Sequence, residues 1–101
     1  MSDQNTPLSF DAMERAAAVL KVLAHPHRLQ IVEQLSIRRL TVGELTERLG
    51  LASNAVSQHL NFMKAHGILD SERDGRKVYY RVVHPHAKTV LGCIRRHACS
   101  E

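Results

Sequence analysis

The stretch Thr41 to His66, TVGELTERLGLASNAVSQHLNFMKAH, constrains the fold of this chain more than any other. It reads as two helices joined by a tight corner. Thr41 followed three residues later by Glu44 makes a capping box: the hydroxyl satisfies a backbone N–H of the first turn and the carboxylate reaches back. Val42, Leu45 and Leu49 recur on one helical face, and Gly50 can take the positive φ that ends a helix. A second periodic run places Val56, Leu60 and Met63 on one side. Ser53, Asn54, Ser57, Gln58 and His59 fill the other positions with short polar side chains and few charges. Such a surface suits the reading of base edges in a major groove, so the stretch is a candidate helix-turn-helix.

The flanking sequence builds around that unit. Residues 1–8 are polar, contain Pro7 and read as a disordered tail, leaving 9–101 as a single domain. Ser9 or Asp11 can cap a first helix, 9–24, with Phe10, Met13, Ala17, Leu20 and Leu23 facing inward. His25-Pro26 ends it and starts the next, because proline fits the first helical position. The second helix runs to about Leu35 and buries Leu29, Val32 and Leu35. A basic connector with Arg38 and Arg39 follows. Beyond Gly67, Ile68 to Arg73 predicts a strand, Asp74-Gly75 a hairpin turn, and Lys77 to Val83 the returning strand. His84-Pro85 opens a last helix, 85–99, with an apolar stripe at Ala87, Val90, Leu91, Ile94 and Ala98. The expected class is therefore mainly α (α+β): a winged helix-turn-helix with a two-stranded β-hairpin wing. The helices 9–24 and 85–99 are expected to dimerise. A twofold dimer would present two reading helices to successive major grooves, about 34 Å apart.

Composition narrows the function classes. A chain of 101 residues has room for one domain and buries only a modest core alone, so dimerisation helps it. The formal net charge of +4 leans towards an anionic partner. No apolar run reaches the roughly 18 residues of a membrane span, and MSDQNTPLSF lacks the basic and apolar regions of a signal peptide. The expected place is the cytoplasm, with no membrane partner. Two cysteines near the C-terminus are not a disulfide framework. Catalysis is not expected: no nucleophile sits beside a base at helical spacing, and no glycine loop cradles a phosphate. A protein-interaction module without DNA binding would account for the apolar terminal helices. It would not account for the Ser/Asn/Gln face and the basic wing.

Three segments together, LKVLAHPHRLQIVEQL, TVGELTERLGLASNAVSQHLNFMKAHGIL and RDGRKVYYRV, resemble the ArsR/SmtB bacterial transcriptional repressors. The resemblance spans about residues 10–100, and the combination of VSQHL, a GIL step and a DGRKVYY hairpin carries it. It implies a homodimeric winged helix that binds an inverted-repeat operator in double-stranded DNA and is released by an inducer. Many members sense metal ions, some sense reactive sulfur or oxidants, and some have no known ligand. One departure stands at the start of the reading helix, where many members carry a serine cap and this chain has Ala52. Ser53 or Asn54 is expected to take over the capping, which makes Ser57 and Gln58 the firmer candidates for base contact.

The DNA-binding set expected from these readings is Ser53, Asn54, Ser57, Gln58, His59, Lys64, Arg73, Arg76 and Lys77. Asparagine and glutamine can make paired hydrogen bonds to adenine, and serine can bond several bases. His59, Lys64 and the three hairpin cations suit phosphates or a minor groove.

An inducer site is harder to read. A closing-helix zinc site in the family follows the pattern Asp-x-His-x10-His-x2-Glu/His. Here His84 stands at the aspartate, His86 and His97 match, and Ser100 stands at the last ligand. His86 and His97 are three turns apart, about 17 Å along one helix. They can meet at one ion only across two antiparallel helices of a dimer. Three imidazoles suit zinc, cobalt or nickel, and tetrahedral zinc needs a fourth ligand, for which Glu101, water or Cys93 would serve. Exposed histidines on a surface helix are an equally weighted reading. A thiol sensor using Cys93 and Cys99, or a regulator with no inducer site, are the remaining ones. The family's other thiolate site needs cysteines within Thr41 to Leu49, and there are none. For Cys93 alone, a buried structural thiol is the plainest expectation.

Overall fold

The computed structural model describes residues 6–98. Most of the expected tail, residues 1–5, lies outside the described residues, as do Cys99, Ser100 and Glu101 with the roles assigned to them. Helix α1 spans Phe10–Leu23, α2 Pro26–Ile37, α3 Val42–Leu49 and α4 Ser53–Ala65. Strands β1 (Leu69–Asp74) and β2 (Lys77–Val82) form an antiparallel hairpin, and α5 (Pro85–Ala98) closes the chain. This is the winged helix-turn-helix that the sequence predicts.

Local chemistry sets most of the boundaries. Ser9 Oγ accepts from the Ala12 N–H at 3.1 Å and starts α1. The capping box at α3 is complete: the Glu44 N–H donates to Thr41 Oγ1 at 3.1 Å, and the Thr41 N–H donates to Glu44 Oε1 at 2.9 Å. Gly50 ends α3 with φ 68°, in the left-handed region that disfavours a side chain. Two His-Pro-His corners start helices in the same way. His25 Nδ1 accepts the His27 N–H at 3.1 Å before α2, and His84 Nδ1 accepts the His86 N–H at 3.2 Å before α5.

The core lies where α2, α3 and α4 meet the base of the hairpin. Ile31, Val32 and Leu35 of α2 pack with Leu45 of α3 and with Val56, Leu60 and Met63 of α4. Ile68, Leu69 and Val82 close it from the hairpin, and Ala87 from α5. Leu40 joins through a bridge outside the hairpin: the Leu40 N–H donates to Tyr80 O at 3.2 Å, and the Tyr80 N–H donates to Leu40 O at 2.8 Å. The connector between α2 and α3 thus becomes a short second partner of β2 and pins the hairpin to the core.

Several expectations are corrected. In α1 the face Phe10, Met13, Ala17, Leu20 is exposed in the single chain, and only Leu23 of the expected stripe is buried. Val22 and the partly buried Val19 meet the core instead, because α1 touches the body through its C-terminal end and the stripe points past it. Helix α2 runs two residues further than expected, and Ile31 takes the buried place expected for Leu29. The hairpin turn is Gly75-Arg76, since Asp74 pairs with Lys77 in the register, and Gly75 carries the positive φ of 67°. Of the α5 stripe, Ala87 is buried and Val90 and Leu91 partly so, while Ile94 and Ala98 are exposed.

Candidate nucleic-acid interface

The buried stripe of α4 determines which of its side chains point outward. Val56, Leu60 and Met63 are each 0% exposed. Asn54, Gln58 and Asn61 stand at i, i+4 and i+7, share one ridge away from that stripe, and are all exposed. Ser53 is exposed at the helix start, and Ser57 is half-buried on the flank nearer the hairpin. Asn61 was absent from the expected set. The spacing that joins it to Asn54 and Gln58 was readable in the sequence, and its amide has the same capacity for paired bonds to adenine.

The first turn of α4 follows the expected departure. Ala52 provides no side-chain cap. Asn54 Oδ1 accepts the Ala55 N–H at 3.0 Å, so Asn54 rather than Ser53 takes over part of the capping. Its Nδ2 remains a donor for a base or phosphate.

The two flanks of α4 are engaged differently. On one side Lys64 Nζ donates to Ser71 Oγ of β1 at 2.6 Å, which ties the reading helix to the hairpin. On the other side His59 turns towards α2. Its Nδ1 accepts from Arg28 Nε at 3.4 Å, and its ring stands 4.6 Å from that of His25. Burial, followed by the nearby His25, Arg28 and His27, lowers the His59 pKa from its ordinary value. His59 thus leaves the outward ridge and packs into a joint between helices.

The hairpin sorts its charges by partner. Arg39, from the connector, reaches Glu72 Oε1 at 3.0 Å and Asp74 Oδ2 at 3.4 Å, and its guanidinium lies 4.2 Å over the Tyr79 ring. Arg81 pairs with Asp70 at 3.6 Å. Every carboxylate of the hairpin therefore has an arginine. Arg73, Arg76 and Lys77, all exposed at the tip, make no ion pair among the described residues. Exposed pairs of this kind contribute at most about 1 kcal/mol each to stability. Their larger consequence is electrostatic, because they cancel the hairpin's negative charge and leave its tip cationic. Arg39 could not be assigned this role from sequence, since 33 residues separate it from Glu72.

At the other end of the molecule, the His84 and His86 rings stand 5.2 Å apart at the start of α5, and His97 lies near its end, within the last turn. The described residues contain no group of three histidine, cysteine or acidic side chains placed to hold a metal ion within one chain. Cys93 is exposed, which corrects the expected buried thiol: α5 meets the body along Ala87, Val90 and Leu91, and Cys93 falls off that line.

Comparison with known proteins agrees with this architecture. A family model described as a helix-turn-helix domain matches residues 23–72. The transcriptional regulator YgaV of Escherichia coli is 38% identical over 87 residues, covering 85% of this chain and 88% of that protein. The transcriptional repressor SmtB of Mycobacterium tuberculosis is 40% identical over 85 residues, 84% of this chain and 63% of that one. Among solved structures, reduced HlyU from Vibrio cholerae superposes with a TM-score of 0.82 at 31% identity, covering 88% of this chain and 94% of that one. The homodimeric winged helix-turn-helix domain Mb0332 of Mycobacterium bovis shares the fold, with a TM-score of 0.77 at 24% identity over 100% and 93% of the two chains.

Proposed function

The chain belongs to the ArsR/SmtB family of winged-helix transcriptional regulators, a family of DNA-binding proteins and not of enzymes, and from that premise we propose that it is a homodimeric repressor of an inverted-repeat operator. The observation that carries this reading is the exposed Asn54–Gln58–Asn61 ridge beside a hairpin whose carboxylates are all paired with arginines and whose tip presents Arg73, Arg76 and Lys77 to solvent. The amides read base edges in the major groove, while Arg73, Arg76 and Lys77 hold phosphates or enter the minor groove. Ser53 and Ser57 flank the ridge and bond whichever bases or phosphates lie beside it.

The dimer is inferred from the apolar faces left over after the core is built. Phe10 is 76% exposed, Leu20 53% and Met13 50% on α1, with Ile94 at 41% on α5. Pairing these faces across a twofold axis covers them and places two α4 helices on one side of the assembly. The homodimeric arrangement of Mb0332 accords with this.

Binding to the promoter region of its own operon tests the proposal. Affinity should exceed that for random DNA and fall steeply with salt. Arg76→Ala should weaken all sequences alike and reduce the salt slope by about one phosphate, whereas Gln58→Ala should change which sequence is preferred. Equal affinity for operator and random DNA would overturn it.

The inducer reading rests on α5. The donor set is chemically suited to zinc, cobalt or nickel: His84 Nδ1 is engaged by the His86 N–H, which leaves Nε2 for a metal, and His86 is exposed beside it. Because one chain does not bring three ligands together, His84 and His86 would meet His97 of the partner subunit across antiparallel α5 helices. A bound ion supplies a charge-dense link between protomers. The side chains hold the two α5 helices in one relative position, which changes the spacing of the reading helices. Titrating zinc should release the operator and His97→Ala should abolish that release; an unchanged response in the variant would remove the site. The exposure of Cys93 favours a second reading, a thiol sensor. In that case an oxidant, not zinc, releases DNA, and Cys93→Ser is insensitive to it.

A further inference from the structure

The His25-Pro26-His27 corner and His59 lie far apart in sequence and meet in the fold around Arg28. The three imidazole rings stand 4.6 Å (His25 to His59), 5.5 Å (His25 to His27) and 6.2 Å (His27 to His59) apart. Arg28 links this group to two helices. Its Nη1 donates to Val22 O near the end of α1 at 3.0 Å, and its guanidinium lies 4.1 Å over the Phe62 ring of α4. The groups facing His59 are all cations or potential cations: His25, His27 and Arg28 from the α2 end. The α1 end contributes a carbonyl, and α4 itself contributes Phe62. Among the described residues no carboxylate pairs with any member.

The hydrogen bonds specify where protons can go. His25 Nδ1 accepts the His27 N–H at 3.1 Å, and His59 Nδ1 accepts Arg28 Nε–H at 3.4 Å. A neutral imidazole that accepts through Nδ1 carries its proton on Nε2, so a second proton can go only to Nδ1. There it replaces the accepting lone pair with a donor. At His25 this sets N–H against N–H and removes the cap of α2, while placing positive charge at a helix N-terminus. At His59 it sets an imidazolium against a guanidinium. His27 keeps its bond either way: its Nδ1 lies 3.0 Å from Gln30 Oε1, an oxygen that only accepts, so Nδ1 donates there and the contact does not depend on a ring lone pair.

We propose that the His25–His27–His59 cluster around Arg28 is a proton-sensitive joint that holds α4 against the start of α2 when neutral and releases it in mild acid, lowering operator affinity. This rests on the DNA-binding reading for its output. The sign is diagnostic. Adding positive charge to a DNA-binding protein ordinarily strengthens binding, whereas opening this joint weakens it. The lowered pKa of His59 agrees with a neutral folded state. Its contribution to stability is fully present above the ordinary value of 6.5 and is lost as pH falls from there through the lowered value.

The test measures operator affinity between pH 7.5 and 5.5 at constant ionic strength, with thermal melts over the same range. Wild-type affinity should fall about tenfold on acidification, the size of losing one cap-type hydrogen bond. In His25→Asn an excellent cap that does not titrate replaces the imidazole. That variant should bind like wild type at pH 7.5 and lose less affinity in acid, and adding His59→Asn should flatten the rest of the response. Affinity that rises or stays level in acid would overturn the joint, as would variants that follow wild type. The melts need no DNA: the acid-induced fall in Tm should shrink in the double variant, and identical falls would also overturn it. A protein that binds no operator at pH 7.5 but shows the altered melts would sink the DNA reading and leave the joint standing.

Discussion

Helices α1 and α4 carry the same kind of sequence signal and end with opposite burial. In α4 the stripe Val56, Leu60, Met63 is 0% exposed throughout. In α1 the stripe Phe10, Met13, Leu20 stays between 50% and 76% exposed. Periodicity says that a helix has an apolar face. It does not say whether the surface covering that face belongs to the same chain. For α4 the cover is α2, α3 and the hairpin base. For α1 only Val19, Val22 and Leu23, near the C-terminal end, find cover in their own chain. A stripe that a single chain leaves bare is therefore a statement about assembly, and it separates the reading half of the molecule from the half proposed to join protomers.

Truncating each stripe gives the largest contrast. Leu60→Ala should cost about 2–5 kcal/mol of folding stability by leaving a cavity in the core, seen as a lower midpoint in urea. Leu20→Asp should leave the helical circular dichroism intact and convert dimer to monomer in sedimentation at micromolar concentration. If Leu20→Asp stays dimeric, the α1 face is not the interface and the comparison breaks.

The hairpin sharpens it next. Gly75 has φ 67°, and a Cβ there would meet nothing within 4 Å, so Gly75→Ala pays only for backbone conformation. About 1–2 kcal/mol is expected. The operator should be bound more weakly while the core around α4 keeps its protection from hydrogen exchange. Equal loss of protection throughout would show that the hairpin and core are a single cooperative unit.

Caps give a smaller effect of either sign. Thr41→Ala should cost about 1 kcal/mol, because α3 has a complete capping box. Ala52→Ser should stabilise by up to about the same amount, because α4 has no side-chain cap. Chemical denaturation of both variants measures the pair. No gain from Ala52→Ser would mean that the Asn54 bond to the Ala55 N–H already does the work of a cap.

The smallest effect is an acid response at α3. The Thr41 backbone N–H, which donates to Glu44, lowers the Glu44 pKa from 4.5. A carboxylate with a depressed folded value stabilises fully above its unfolded value and loses that contribution as pH falls through the folded one. Glu44→Gln should therefore remove a slight loss of stability below about pH 4.5, measured against wild type.

The reading half was largely legible in advance. The Thr41–Glu44 box, the Gly50 stop, the α4 stripe and the hairpin depend on neighbours a few residues apart, and local physics decides them. The missing cap at Ala52 was visible too, although which side chain would replace it was not. Asn61 is legible from its spacing with Asn54 and Gln58. His59 was misplaced because the polar string from Ser53 to His59 reads as one surface until the buried stripe orients the helix. His59 then turns to Arg28, 31 residues away in sequence.

The sequence by itself determined the elements, their caps, their order and the polarity of the reading helix, because these follow from interactions within a turn or two of helix or across a tight hairpin. Only the tertiary structure decided which cations stay available at the hairpin tip, which imidazoles gather around Arg28, and which apolar faces remain bare. Those outcomes depend on side chains about 30 residues or more apart, Arg39 with Glu72 and Arg28 with His59. Burial and pairing at that range are set by how the helices pack, and no local pattern encodes them.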